Sequence, residues 1–188
     1  IEYPNPSSEV MKKYWKDYHK WNLGQYLTLP SHAFPDPKIY LVDDVYHIEY
    51  NVYVNEQPKR LPLDHISTLK NAFTFWESAK LTTNDGKTAI VKFYQVNTKP
   101  DANIWVTWVM RNLGDGVLGH ANLGKGVVEV ALGGYGCDGT TQLFTIETVE
   151  TIMKHELGHS LGFEHTTDRN NLMYPSIKNT NYAYCLLS

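Results

Sequence analysis

The chain predicts an α+β fold built on a mixed α/β sheet. Runs of period-two alternation are interleaved with two stretches of helical periodicity, and one nearly continuous apolar run reads as a strand buried on both faces. The order strand, helix, strand, strand, later followed by a second helix, carries the class. At 188 residues the chain suits one domain with a sizeable core. Its 42% hydrophobic content and formal net charge of -3 are those of an ordinary soluble protein, with nothing that points to nucleic acid. The longest apolar run, near Ile104 to Met110, falls far short of the roughly 20 residues a membrane span needs. The chain begins at Ile1 with no basic-then-apolar leader before it, as expected of a processed form or an excised piece.

Residues 1–37 stand apart, punctuated by Pro4, Pro6, Pro30, Pro35 and Pro37. Ser7 or Ser8 can cap a helix whose stripe is Met11, Tyr14, Tyr18 and Trp21, with Gly24 as its stop. This segment is read as an N-terminal extension docked on the main domain or as a pro-segment over its site, and 38–188 as the main domain. From Ile39 the period becomes two, with Tyr46, Ile48, Tyr50, Val52 and Val54 on one face of a long strand. Between Asp64 and Ala79 the residues Ile66, Leu69, Phe73 and Trp76 mark an amphipathic helix covering a sheet. Asn84-Asp85-Gly86 is a turn, and Ala89 to Val96 and Asn103 to Met110 are strands, the second central. Val117 to Leu123 and Val127 to Leu132 are short strands, and glycines then crowd a loop from Gly133 to Gly139. A second helix starts with Thr145 as its cap, Glu147 and Glu150 complementing its dipole, and Ile146, Val149, Met153 and Leu157 facing the core.

That second helix carries His155-Glu156-Leu157-Gly158-His159 and runs on to Gly162 and His165. His155 and His159 sit one turn apart on one face, so both imidazoles reach a single metal ion. Gly162 can adopt the left-handed conformation that ends a helix and turns the chain back, which brings His165 within reach as third ligand. Asp168 is the alternative third ligand. Three protein ligands with an open fourth position are what catalytic zinc requires, and Glu156 beside them is placed to take a proton from water. The other reading, a helix with surface histidines that bind nothing, leaves the glycine and the third histidine unexplained.

The pattern HExxHxxGxxH followed by Asn171-Leu172-Met173-Tyr174-Pro175 resembles the metzincin metallopeptidases. Thr166 after the third histidine, and Leu172-Met173-Tyr174-Pro175, resemble the matrixin version, as do Ala72-Phe73-Thr74-Phe75-Trp76, Ala102-Asn103-Ile104 and Leu118-Gly119-His120-Ala121. The resemblance implies a twisted five-stranded sheet, mostly parallel with one antiparallel edge, above a cleft holding the zinc helix, with Met173 beneath the metal as a hydrophobic base. It also implies a pocket floored near Thr151 and walled after the methionine turn by Tyr174 and the segment to Tyr184. Matrixins carry a second, structural zinc. His120 matches one of its ligands, but no other histidine lies between His65 and His155, so His120 reads as a strand residue. The upstream cysteine by which matrixins block their zinc has no counterpart in 1–37. Asp115 and Asp138, beside glycines, are candidate calcium ligands that lack further spaced carboxylates.

The function expected is a zinc endopeptidase with one catalytic ion on His155, His159 and His165 and Glu156 as general base. A protein or peptide substrate would lie extended along the edge strand at 117–123, bound by a monomer acting outside the cytoplasm. The alternatives are a zinc-bound module that holds peptide without cutting it, and a latent form blocked by one of its termini. Cys137 and Cys185 are expected to bond, tying the tail to the glycine-rich loop.

Overall fold

Alternating side chains build the frame, as the sequence predicts, and the computed structural model describes it over residues 33–58, 63, 65–110, 117–136, 140–177 and 180–186. The side chains of 135–136, 140 and 184–186 fall outside that description. So do the expected N-terminal helix with Met11, Tyr14, Tyr18 and Trp21, the candidate calcium ligands Asp115 and Asp138, and the Cys137–Cys185 pairing. The main sheet runs β3 (Leu81–Thr82), β4 (Thr88–Val96), β2 (Val45–Val54), β5 (Ile104–Val109), β7 (Gly126–Ala131) and β6 (Gly119–Ala121). Strands β4, β2, β5 and β7 are parallel and β6 is an antiparallel edge, which is the five-stranded arrangement expected. β3 is added antiparallel on β4, and β1 (Lys38–Val42) antiparallel on β2.

The long strand expected from Ile39 is instead the hairpin β1–β2. Asp43 and Asp44 both take positive φ, 49° and 64°, the turn that matches the twist of two antiparallel strands. The turn at Asn84-Asp85-Gly86 is present, with Gly86 at φ 83° and its N–H donating to the Thr83 carbonyl at 2.9 Å.

Among the described residues, two helices cover one face of the sheet. α1 (Ile66–Glu77) buries Leu69, Ala72, Phe73 and Trp76, and Phe73 stacks on Phe93 of β4 at 4.6 Å. Ile66, counted into that stripe from the sequence, is the first residue of the helix and is 51% exposed. α2 (Ile146–Ser160) starts at Thr145, whose side chain accepts from the Thr148 N–H. Val149, Ile152, Met153 and Leu157 of α2 enter one core with Val52, Val91, Ile104, Val106, Trp108, Val128 and Val130. β5, flanked by β2 and β7, is buried along most of its length, as its continuous apolar run predicts.

A second, three-stranded antiparallel sheet was not foreseen. β8 (Gly133–Gly136) and β9 (Thr140–Phe144) replace the expected glycine loop, and the C-terminal β10 (Tyr182–Leu186) pairs with β9. Leu132 joins the two sheets: its N–H donates to the Val109 carbonyl at 2.8 Å and its carbonyl accepts from the Phe144 N–H at 2.9 Å. Asn181 fastens the tail to the start of α2, its N–H donating to Thr148 Oγ1 and its carbonyl accepting from the Thr145 N–H.

Candidate active site

The end of α2 sets the site. Gly162 lies at φ 101°, the Phe163 N–H donates to the Gly158 carbonyl at 3.0 Å and the Gly162 N–H to the His159 carbonyl at 2.9 Å. These two bonds close a helix on a left-handed residue and turn the chain under its last turn. His165 is thereby brought back onto the face that carries His155 and His159. The Thr166 N–H then bonds the Met173 carbonyl at 3.1 Å, holding the returning chain against the methionine turn.

Each helical histidine is aimed by a backbone carbonyl. His155 Nδ1 lies 2.8 Å from the Leu172 carbonyl and His159 Nδ1 lies 2.7 Å from that of Phe163. A carbonyl only accepts, so both Nδ1 atoms carry the proton and both Nε2 atoms present a lone pair. Burial, foremost, holds both rings below the usual histidine range, opposed by those same carbonyls. Nε2 of His165 lies 3.3 Å from that of His155 and 3.1 Å from that of His159. Nitrogen ligands about 2.0–2.1 Å from a tetrahedral ion sit about 3.3 Å apart, so the donor set fits zinc in type, number and spacing.

Asp168 does not join the cluster. Its carboxylate accepts from the Asn170 N–H at 2.9 Å and its carbonyl from the Asn171 N–H, so it shapes the turn before Met173. Among the described residues the three histidines form the metal-competent group. Met173 is buried beneath them, where a Cβ added to Gly158 would meet its Sδ at 2.5 Å.

Glu156, one position on from His155, reaches from α2 towards the edge strand. A Cβ at Gly119 would stand 2.9 Å from both Glu156 Cγ and Oε1, so the glycine of β6 makes the room in which this carboxylate lies. Burial pushes Glu156 up to about 8, and a cation held by the neighbouring histidines would pull it back down. Glu156 lines two cavities that lie to either side of it along β6. One, of about 650 Å³, is walled by Val117, Leu118, Phe144, Ile152, Ile177 and Tyr182. The other, of about 360 Å³, takes in His120, Ala121, Leu123 and Glu164.

Three details depart from the sequence reading. Ile152 lines the larger cavity where Thr151 was expected, because Thr151 turns away and donates to the Glu147 carbonyl at 3.0 Å. Of the wall assigned to Tyr174 and the segment to Tyr184, the segment supplies Pro175, Ile177 and Tyr182, while Tyr174 is not in the lining. His120 stands on β6 outside the triad, but directly across the ladder from it is Glu129, fully buried and overlooked in the sequence because it sits inside an apolar strand.

A family model for matrixin matches residues 43–187. Metalloendoproteinase 1 of Glycine max is 26% identical over 181 residues, covering 87% of this chain and 48% of its own, so the chain spans about half the length of that relative. The solved structure of myroilysin aligns with a TM-score of 0.40 at 17% identity, covering 62% of this chain and 48% of that one.

Proposed function

The chain belongs to the matrixin family, and from that premise we propose that it is a zinc-dependent endopeptidase with His155, His159 and His165 as ligands and Glu156 as general base. The carrying observation is the convergence of three imidazole Nε2 atoms beside a buried carboxylate that is not needed as a ligand. The chemistry supplied by zinc when bound there is polarisation of a carbonyl and acidification of water to a pKa of about 7. Glu156 takes the proton from the attacking water on a carboxylate oxygen and hands it to the departing amine nitrogen. The Leu172 and Phe163 carbonyls hold the two helical imidazoles in one tautomer throughout.

Substrate lies extended along 117–123. In the described residues β6 is paired on one edge by β7, leaving its other edge to accept a peptide as an added strand. The side chain after the cut bond enters the larger cavity, whose apolar walls favour bulky hydrophobic residues. Among the described residues no helix is long and apolar enough to cross a membrane. The reading includes a monomer that acts outside the cytoplasm.

Replacing Glu156 with glutamine tests the reading against a peptide-holding module. The variant should keep one zinc per chain while turnover of a denatured protein falls by a factor of about 10² to 10⁴. Undiminished turnover would refute the assigned role, and a wild-type chain that binds zinc but cuts nothing would favour the holding module.

A further inference from the structure

Both carbonyls that aim the zinc ligands belong to segments that meet at one side chain, Trp76 of α1. Its Nε1–H donates to the carbonyl of Lys154, the residue before His155, at 2.8 Å. Its ring stacks on Phe163 at 5.4 Å and 16°, and the Phe163 carbonyl is the one that takes His159 Nδ1. A Cβ at Gly158 would meet Trp76 Cζ2 at 2.9 Å and Met173 Sδ at 2.5 Å, so the indole and the methionine turn close on the same glycine. The residue before Met173 is Leu172, whose carbonyl takes His155 Nδ1.

We propose that Trp76 is a positioning residue of the metal site: a single indole locates the Lys154–Gly158 segment, the Phe163 carbonyl and the methionine turn relative to one another, and so fixes the aim of His155 and His159. The inference rests on reading the three histidines as a zinc site. A buried indole N–H needs an acceptor wherever it lies; here that acceptor is the carbonyl next to His155, and the ring's stacking partner is the residue whose carbonyl takes His159 Nδ1. Groups that orient metal ligands at one remove typically change metal affinity by about 10- to 100-fold when lost.

The test compares zinc affinity of the full chain, by competition with a chromogenic chelator, with the melting temperature of the metal-stripped protein. Trp76→Phe keeps an aromatic ring and removes the N–H. It should weaken zinc binding about 10-fold or more and lower kcat at saturating zinc with KM nearly unchanged. Leu69→Ala, a buried α1 residue outside the site, should lower the melting temperature while leaving zinc affinity within about threefold of wild type. Phe163→Leu attacks the same stack from its 37% exposed partner, where folding is at less risk, and should weaken zinc binding in the same direction. The double variant should lose less than the sum of the two single losses. Zinc affinity unchanged in both Trp76→Phe and Phe163→Leu would overturn the proposal, as would an equal loss in Leu69→Ala. Affinity is read without substrate, so a wild-type chain that binds zinc but cleaves nothing defeats the endopeptidase reading and leaves this one standing.

Discussion

Glu129 lies fully buried on β7 with neither carboxylate oxygen hydrogen-bonded among the described residues, and burial pushes its carboxyl from 4.5 up to about 7. Between those values the folded protein holds a proton that the unfolded chain has released. The associated stability is therefore full below pH 4.5 and is lost as the pH rises through 7. Glu129→Gln removes the ionisation, so it should flatten the decline in stability between pH 5 and 8 and raise stability at pH 8, by up to about 3 kcal/mol. Denaturant melts at the two pH values check this, and parallel slopes in variant and wild type would count against it. Residues differ in how far the sequence exposes them. His155, Glu156, His159 and His165 are legible because eleven consecutive positions fix their offsets on a helix and its closing turn. Glu129 is not, because whether a carboxylate in Val127-Val128-Glu129-Val130 is buried depends on what covers that face of the sheet.

At the scale of elements, the second sheet matters most. β10 brings Tyr182 against Phe144 at 5.2 Å and into the wall of the larger cavity, its hydroxyl lying 3.2 Å from where a Gly134 Cβ would stand. Tyr182→Ala removes apolar contact worth about 1–2 kcal/mol to a side chain filling that cavity. Peptides with a large apolar residue after the cut bond should lose roughly 5- to 30-fold in kcat/KM, and those with a small residue there should change little. Cleavage profiling on a peptide library reads the difference; an unchanged profile would remove Tyr182 from the pocket. The tail gave no such hint in sequence, since Tyr182–Leu186 shows no alternation that singles it out, and its strand character comes from pairing with β9. The hairpin β1–β2 was hidden for another reason. A two-residue turn keeps paired residues on the same face, and Asp43-Asp44 lacks the glycine that usually signals it.

For the molecule as a whole, α2 is the element on which separate parts of the chain close. α2 is anchored by Thr145 and Asn181 at its start and by the Gly162 turn at its end, and an ion held by the three histidines would tie it to the chain returning under it. Zinc that binds only the folded form, at about 1,000 times its dissociation constant, stabilises by about 4 kcal/mol. For a chain of this size that amounts to roughly 8–16 °C in melting temperature. Calorimetry with zinc and then with excess chelator should show a fall of that order in wild type and also in Glu156→Gln, which keeps all three ligands. An unchanged melting temperature would mean that the histidines hold no ion under those conditions.

The sequence by itself determined the helix that carries two of the clustered histidines, the glycine that turns the chain to the third, the carboxylate beside them and the parallel core around β5. Each is a local periodicity or spacing, and local backbone geometry converts it directly into a shared face. Only the tertiary structure decided that Gly119 of β6 makes room for Glu156, that the Leu172 and Phe163 carbonyls aim the imidazoles, that the tail walls the pocket and that Trp76 reaches both the Lys154 carbonyl and Phe163. Those relations join residues far apart in the chain, and no period along it records which distant groups close packing will bring together.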